Sequence, residues 1–145
     1  MARTRAAADR GSVLMLVPAG FLVLLMLGAI AFDYSHLYLG QRQLASSAEA
    51  AANDAVTFGV DQAAFRAGQG YVLDPDLVAE AVSQSLAAHG ISGVHLDAPE
   101  VVLLSATRVR VTLTGTVDYV FVKAVPGVAH RAVVHASATA EAVSP

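Results

Sequence analysis

Five histidines are the side chains of this 145-residue sequence best suited to hold a metal ion: His36, His89, His95, His130 and His135. No two of them lie four residues apart, the spacing that puts two ligands on one helix face in the HExxH motif. His130 and His135 would point to opposite faces of a strand, because side chains alternate along it. We therefore predict solvated or edge histidines and no metal site.

Two carboxylate pairs could act as general acid and base, Asp74 with Asp76 and Asp97 with Glu100. The first pair fits a helix cap and the second a solvated loop. The sequence GQG at 68–70 is a fragment of a dinucleotide loop without the strand and helix that the motif needs. There is no GxSxG or Walker motif, and no cysteine for a nucleophile or a disulfide. We predict a protein that is not an enzyme and uses no cofactor.

One apolar block explains why hydrophobic residues reach 55% while charged residues stop at 14%. Residues 12–32 contain no charge. As a helix rising about 1.5 Å per residue, the block would cross the roughly 30 Å hydrocarbon layer of a membrane. We predict a transmembrane helix over 12–32, with these anchor residues: Val13, Leu14, Leu16, Phe21, Leu24, Leu25, Leu27 and Ile30.

The charges that flank this block predict its orientation. Three arginines and one aspartate precede it within residues 1–11, whereas only Arg42 follows it closely. Because basic flanks stay in the cytoplasm, we predict a single-pass cell-membrane protein with a cytoplasmic N-terminus and residues 33–145 outside. Acidic residues outnumber basic ones by 12 to 9 in the whole chain, so no nucleic-acid partner is expected.

A cleaved secretory signal is the competing interpretation of the N-terminus. A basic start, an apolar stretch and the small-residue pattern AIA at 29–31 all fit it. The apolar run is longer than the usual roughly 7 to 15 residues of a signal peptide, and the sequence after it continues as a helix. We therefore favour an anchor that is retained.

Residues 33–58 predict an amphipathic continuation of the membrane helix, giving one helix of about 45 residues. Arg42 and Asn53 lie on its polar side. Residues at spacings of three and four form its apolar side, where small side chains permit close packing on the protein's own sheet or on a partner. We call this packing or interaction face the small-residue stripe: Leu37, Leu44, Ala48, Ala51, Ala52 and Ala55.

Residues 59–145 are predicted to form an extracytoplasmic α+β domain. After a short helical piece around 63–66, Asp74 is the expected N-cap of a helix over 75–89, and Gly90 ends it. The buried side of this helix is predicted to consist of five residues: Leu77, Val78, Ala81, Val82 and Leu86.

Strict alternation of polar and apolar residues predicts a strand over 108–114. The alternation continues through Val117, Tyr119 and Phe121, with Gly115 as an expected bulge or bend. One face of this strand should therefore be buried and the other solvated.

Two further strands complete the predicted sheet. Residues 132–142 alternate in the same way, after a turn at 125–127, and residues 94–104 form a strand interrupted at Pro99. Short connections favour antiparallel pairing. We predict an α+β fold with a small antiparallel three-stranded sheet, covered on its apolar face by the long helix and the second helix.

Several segments resemble the TadE/TadG-like proteins of Flp (Tad) pilus assembly, with the actinobacterial branch closest. They are RGS at 10–12, DY at 33–34, QRQL at 41–44 and AEAAANDA at 48–55. More loosely, VPG at 125–127 before ASATA at 136–140 is similar to the small sheet of that family. The resemblance covers about residues 10–58 and, weakly, 94–143.

This resemblance implies a membrane-anchored, pseudopilin-like accessory or structural component of Flp pilus assembly or a related secretion apparatus. Its implied partners are other pilus-assembly proteins, namely the membrane platform and pilins or pseudopilins, and it would form homo- or hetero-oligomers. Prepilin-like members carry glutamate at the fifth position after the glycine at which they are cleaved. Here the fifth residue after Gly11 is Leu16. We therefore expect the anchor to be kept.

A second hypothesis is a secreted or membrane-anchored extracytoplasmic domain that binds an unknown ligand on its sheet. It stays open because resemblance of fold does not fix function.

Overall fold

The computed structural model describes the backbone of residues 5–124 and 126–143, and the side chains of 16–123 and 126–143. The side chains of the predicted anchor residues Val13 and Leu14 lie outside the described part. The side chains of the basic flank, residues 1–11, also lie outside it. Val125 of the predicted turn lies outside it as well.

One long helix, α1, runs from Arg5 to Phe58 and contains 54 residues, which corresponds to about 80 Å. The predicted membrane segment and its amphipathic continuation are therefore one helix, which also begins several residues earlier than expected. Its described large apolar residues are exposed up to Phe32, whereas from Leu44 onward one face of the helix is buried, at Leu44, Ala48, Ala51, Ala52 and Ala55. The change follows the sequence, because large apolar side chains give way to small ones on one face.

Two shorter helices follow, α2 over Gln62–Arg66 and α3 over Pro75–His89. Asp74 caps α3 as predicted, because its Oδ1 accepts hydrogen bonds from the backbone N–H of Asp76 at 2.8 Å and Leu77 at 3.2 Å. The prediction that Leu77 is buried is wrong, since it is 39% exposed in the first turn. The buried side of α3 instead consists of Val78, Ala81, Val82 and Ser85.

The sheet is antiparallel, as predicted, and is built around β3, which spans Arg108–Asp118. β4, Arg131–Glu141, pairs with one edge of β3 over its whole length. The strand predicted over 94–104 is two short strands, β1 at His95–Leu96 and β2 at Glu100–Leu103, and both pair with the other edge. The described sheet therefore has four strands rather than three, because the predicted interruption at Pro99 divides one of them.

The expected bulge at Gly115 is absent from β3. Gly115 stays in register opposite Leu96 on one side and Val134 on the other. A Cβ atom there would lie 2.7 Å from Val94 Cγ1 and 2.8 Å from the backbone oxygen of His95. Glycine is therefore needed for close approach of neighbouring chain segments rather than for a bend.

The predicted continuation of β3 through Tyr119 and Phe121 is also wrong. β3 ends at Asp118, and a 3-10 helix follows at Val122–Ala124. The alternating sequence persists, and the Tyr119 N–H still bonds to the His130 backbone oxygen, but the N–H groups of Val120, Phe121 and Val122 bond to Asp33 of α1.

The core lies where the C-terminal half of α1 packs on β3 and β4, with α3 packed against α1. Val109, Val111, Leu113 and Val117 of β3 point into it and are fully or almost fully buried. The alanines of α1 allow the sheet to approach the helix closely, and Gly40 extends this contact, since a Cβ there would lie 2.8 Å from Val117 Cγ2. Small side chains on α1 and branched ones on β3 thus form complementary surfaces.

Candidate functional site at the membrane-proximal junction

The junction between the exposed and buried halves of α1 is organised by Asp33, the first residue after the predicted membrane segment. Its carboxylate is almost completely buried, with the residue 3% exposed. Oδ1 accepts hydrogen bonds from the backbone N–H of Val120 at 2.8 Å and of Phe121 at 3.1 Å. Oδ2 accepts from Phe121 at 3.2 Å and from Val122 at 3.0 Å. One side chain therefore ties α1 to residues 119–124, which we call the junction loop.

A carboxylate suits this position because the junction loop enters a 3-10 helix at Val122, where the first N–H groups have no partner within the helix. Burial raises the pKa of Asp33, but the three backbone N–H groups outweigh it, aided by the nearby His36. The net result is a pKa below the ordinary value of 3.8. Asp33 is therefore held as a charged acceptor at neutral pH.

Apolar contacts accompany this polar tie. The rings of Phe32 and Phe121 pack edge to face, with centroids 5.4 Å apart and planes at 89°. Beside them lies an open apolar groove of about 560 Å³ between α1 and the junction loop. Its lining consists of Leu22, Leu25, Met26, Ala29, Ile30, Phe121 and Val122.

The start of the junction loop is held by a second carboxylate, Asp118 at the end of β3. It accepts hydrogen bonds from Arg131 Nε at 2.8 Å and Lys123 Nζ at 3.3 Å, and His95 Nε2 lies 3.8 Å away. The hydrogen bond from Arg131 lowers the pKa of Asp118, burial opposes this, and Lys123 lowers the pKa further. Asp33 thus ties the junction loop to α1, and Asp118 ties Lys123 of the loop to the end of β3.

The predicted anchor residues and the small-residue stripe lie on opposite sides of this junction. The described anchor residues are all at least half exposed: Leu16, Phe21, Leu24, Leu25, Leu27 and Ile30. In the stripe, Leu37 is partly buried against the core, and the other members are buried in it: Leu44, Ala48, Ala51, Ala52 and Ala55. The structure therefore places the stripe within the protein's own core.

Neither Asp33 nor Asp118 is among the candidate site residues that the sequence predicts. The segment DY at 33–34 was part of the family resemblance, but nothing in the local pattern predicts that its carboxylate bonds to residues 87 to 89 positions away. A charged residue directly after an apolar block is a usable signal, because such a charge must find partners or water.

Two histidines lie near the junction carboxylates, His36 near Asp33 and His95 near Asp118. In the part of the chain that the structure describes, no group of three histidine, aspartate or glutamate residues could hold a metal ion. His36 Nδ1 is buried without a hydrogen-bond partner there, whereas His89 Nδ1 lies 2.9 Å from the backbone oxygen of Ser85.

The fold and the junction define a small α+β domain carried on one long helix whose exposed part is long and apolar enough to cross a membrane. Residues 11–57, less than half of the chain, match the family described as putative Flp pilus-assembly TadE/G-like. The resemblance predicted from the sequence is therefore confirmed over α1, and it supports a role in Flp pilus assembly. No curated protein and no solved structure matches the chain.

Acid should loosen the junction. Both carboxylates have folded-state pKa values below 3.8, so the unfolded chain takes up protons first as the pH falls. The two carboxylates contribute fully to stability at a pH above their unfolded-state pKa. This contribution is lost as the pH falls through their lower folded-state pKa values. Denaturant unfolding of the full chain in detergent should therefore show a lower midpoint at about pH 3 than at about pH 6.

The variant Asp118→Asn tests the origin of this pH dependence, because it removes one of the two carboxylates. This variant should lose part of the acid-induced shift in the midpoint. Equal shifts in the variant and in the unmodified protein would contradict the assignment of acid sensitivity to Asp118.

Proposed function

We propose that the protein is a membrane-anchored, pseudopilin-like component that helps to assemble a Flp (Tad) pilus. The observation that carries this proposal is the family match, which spans the exposed apolar part of α1 and its buried continuation within one segment, residues 11–57. A match confined to the apolar part would support only an anchor. Because it continues to the end of α1, the match also includes the part that packs on the sheet.

The exposure of the apolar side chains of α1 supports the membrane anchor. Along α1, large apolar side chains from Leu16 to Phe32 are exposed on all sides, with Leu24 at 67% and Phe21 at 63%. An exposed apolar surface of this extent is unfavourable in water and fits hydrocarbon. The proposed orientation, with the N-terminus in the cytoplasm and residues 33–145 outside, follows from the arginines before the segment.

An accessory or structural role is favoured because Asp33 links the anchor helix directly to the junction loop of the domain. A domain fixed to its anchor by Asp33 keeps a defined direction relative to the membrane, which is useful for a protein that contacts a membrane platform, pilins or pseudopilins, or further copies of itself. The partners proposed here are therefore other proteins of the assembly machinery.

Deletion of the gene, with complementation by the full chain, tests this function. Cells without the protein should lose Flp pili, and the intact chain should restore them. Capture of the intact chain from a detergent extract should recover proteins of the pilus platform or pilins. Normal piliation of the deletion strain, together with capture of no pilus protein, would refute the proposal and favour the alternative of an extracytoplasmic binding domain.

The mature protein should retain residues 12–32 and fractionate with the membrane, because Leu16 stands where processed prepilins have glutamate. Intact-mass measurement of the purified protein checks this expectation. A mature start at Ser12 would indicate cleavage of the prepilin type, and a start at Phe32 would indicate an ordinary signal peptide. A start at Ser12 would contradict the expected lack of processing. A start at Phe32 would show that the mature protein has lost its anchor.

A further inference from the structure

We propose that the junction loop is a second membrane-contacting element, which places Phe121 and Val122 in the acyl-chain region of the outer leaflet beside α1. This inference rests on the proposed membrane anchoring of α1. It adds a surface from the folded domain to a membrane contact that the sequence assigns to one helix alone.

The level of the junction loop along α1 is the first support. Phe121 and Val122 line one groove together with five residues of α1 between Leu22 and Ile30. All five belong to the predicted membrane segment, and Leu22 lies about 16 Å of helix before Asp33. The junction loop therefore lies beside the outer turns of that segment, so lipid that surrounds these turns also meets the loop.

Backbone hydrogen bonding is the second support. A loop can enter the acyl-chain region only if its N–H groups have partners, since lipid provides none. Asp33 accepts hydrogen bonds from the N–H groups of Val120, Phe121 and Val122, which satisfies the donors at the apolar tip of the junction loop. Asp33 itself is 3% exposed, so its charge is shielded from the surrounding lipid.

Surface composition is the third support. Phe121 remains 49% exposed although it packs on Phe32. Lys123 and Arg131 lie next to this apolar tip and bond to Asp118, which forms a basic and polar rim. Apolar side chains bordered by basic ones are typical of surfaces that lie in the membrane interface. Continuity with the exposed surface of α1 favours lipid over a protein partner as the occupant.

The absence of tryptophan from the sequence provides a direct test, because one substitution introduces a single fluorescent reporter. The full chain with Phe121→Trp is reconstituted in bilayers whose lipids carry bromine on the acyl chain. Phe21→Trp reports the anchor, and Phe65→Trp on α2 reports the distant part of the domain. We expect blue-shifted emission and clear quenching for Phe121→Trp as for Phe21→Trp, and little quenching for Phe65→Trp.

The outcomes separate the inference from the function on which it rests. Quenching of Phe21→Trp without quenching of Phe121→Trp would overturn the inference and leave the anchor intact. Absence of quenching for Phe21→Trp would refute the anchor, and the inference with it. Val122→Trp repeats the measurement within the same groove if Phe121→Trp does not fold.

Discussion

Asp33→Ala should release the junction loop from α1. Three backbone N–H groups would lose a charged acceptor in a place that is nearly closed to water, and such donors are costly to leave unpaired. Amide hydrogen exchange at Val120, Phe121 and Val122 should rise by about tenfold or more in the full chain in detergent. The change should extend to Lys123 and weaken its contact with Asp118.

Glu49→Ala is the matched control, because it removes an exposed carboxylate from the same helix. It should leave exchange in the junction loop unchanged. Asp33→Asn keeps one carbonyl acceptor without the charge and should give an intermediate increase. Unchanged exchange at Val120 and Val122 in Asp33→Ala would mean that the loop is held by its apolar contacts alone.

Ala51→Leu should destabilise the whole outer domain. Ala51 has no exposed surface and lies where α1 meets the rest of the core, so a larger side chain there must displace its neighbours. Overpacking of this kind costs about 1 to 3 kcal/mol. The full chain should become sensitive to protease beyond α1, and its amount in the membrane should fall. Ala48→Leu should behave in the same way, since Ala48 is equally buried.

Arg42→Ala and Asn53→Ala serve as controls on the exposed side of the same helix. Both should leave protease resistance and amount unchanged. The opposite pattern is equally informative: if Ala51→Leu left the domain folded and abundant while pilus assembly failed, the small-residue stripe would act on a partner rather than on the protein's own core.

Local patterns predict most of the elements. The Asp74 cap, the proline after it and Gly90 define α3, and the alternation in β3 defines its buried face. These features depend on residues close together in the chain, which is why they can be recognised from the sequence. The periodicity of α1 likewise predicts which residues share a face, but it does not determine whether that face meets the protein's own sheet or another molecule.

Features that depend on distant residues were missed or misassigned. The alternation through Tyr119 and Phe121 predicts further strand, yet Asp33 accepts the hydrogen bonds of the Val120 and Phe121 N–H groups. Gly115 has the sequence context of a bulge. Its role is instead set by close contact with His95 on the neighbouring strand β1 and with Val94 just before that strand. In both cases the decisive atoms belong to another segment, which only the folded structure brings near.

Orientation across the membrane decides whether the domain can serve assembly outside the cytoplasm. The sequence contains no cysteine, so a single introduced thiol can be labelled in intact cells with a reagent that does not cross membranes. Ser92→Cys, at an exposed position of the outer domain, should be labelled in intact cells, whereas Ala6→Cys should be labelled only after lysis. Labelling of Ala6→Cys in intact cells, with Ser92→Cys protected, would place the domain in the cytoplasm and contradict the proposed anchor and its role in pilus assembly.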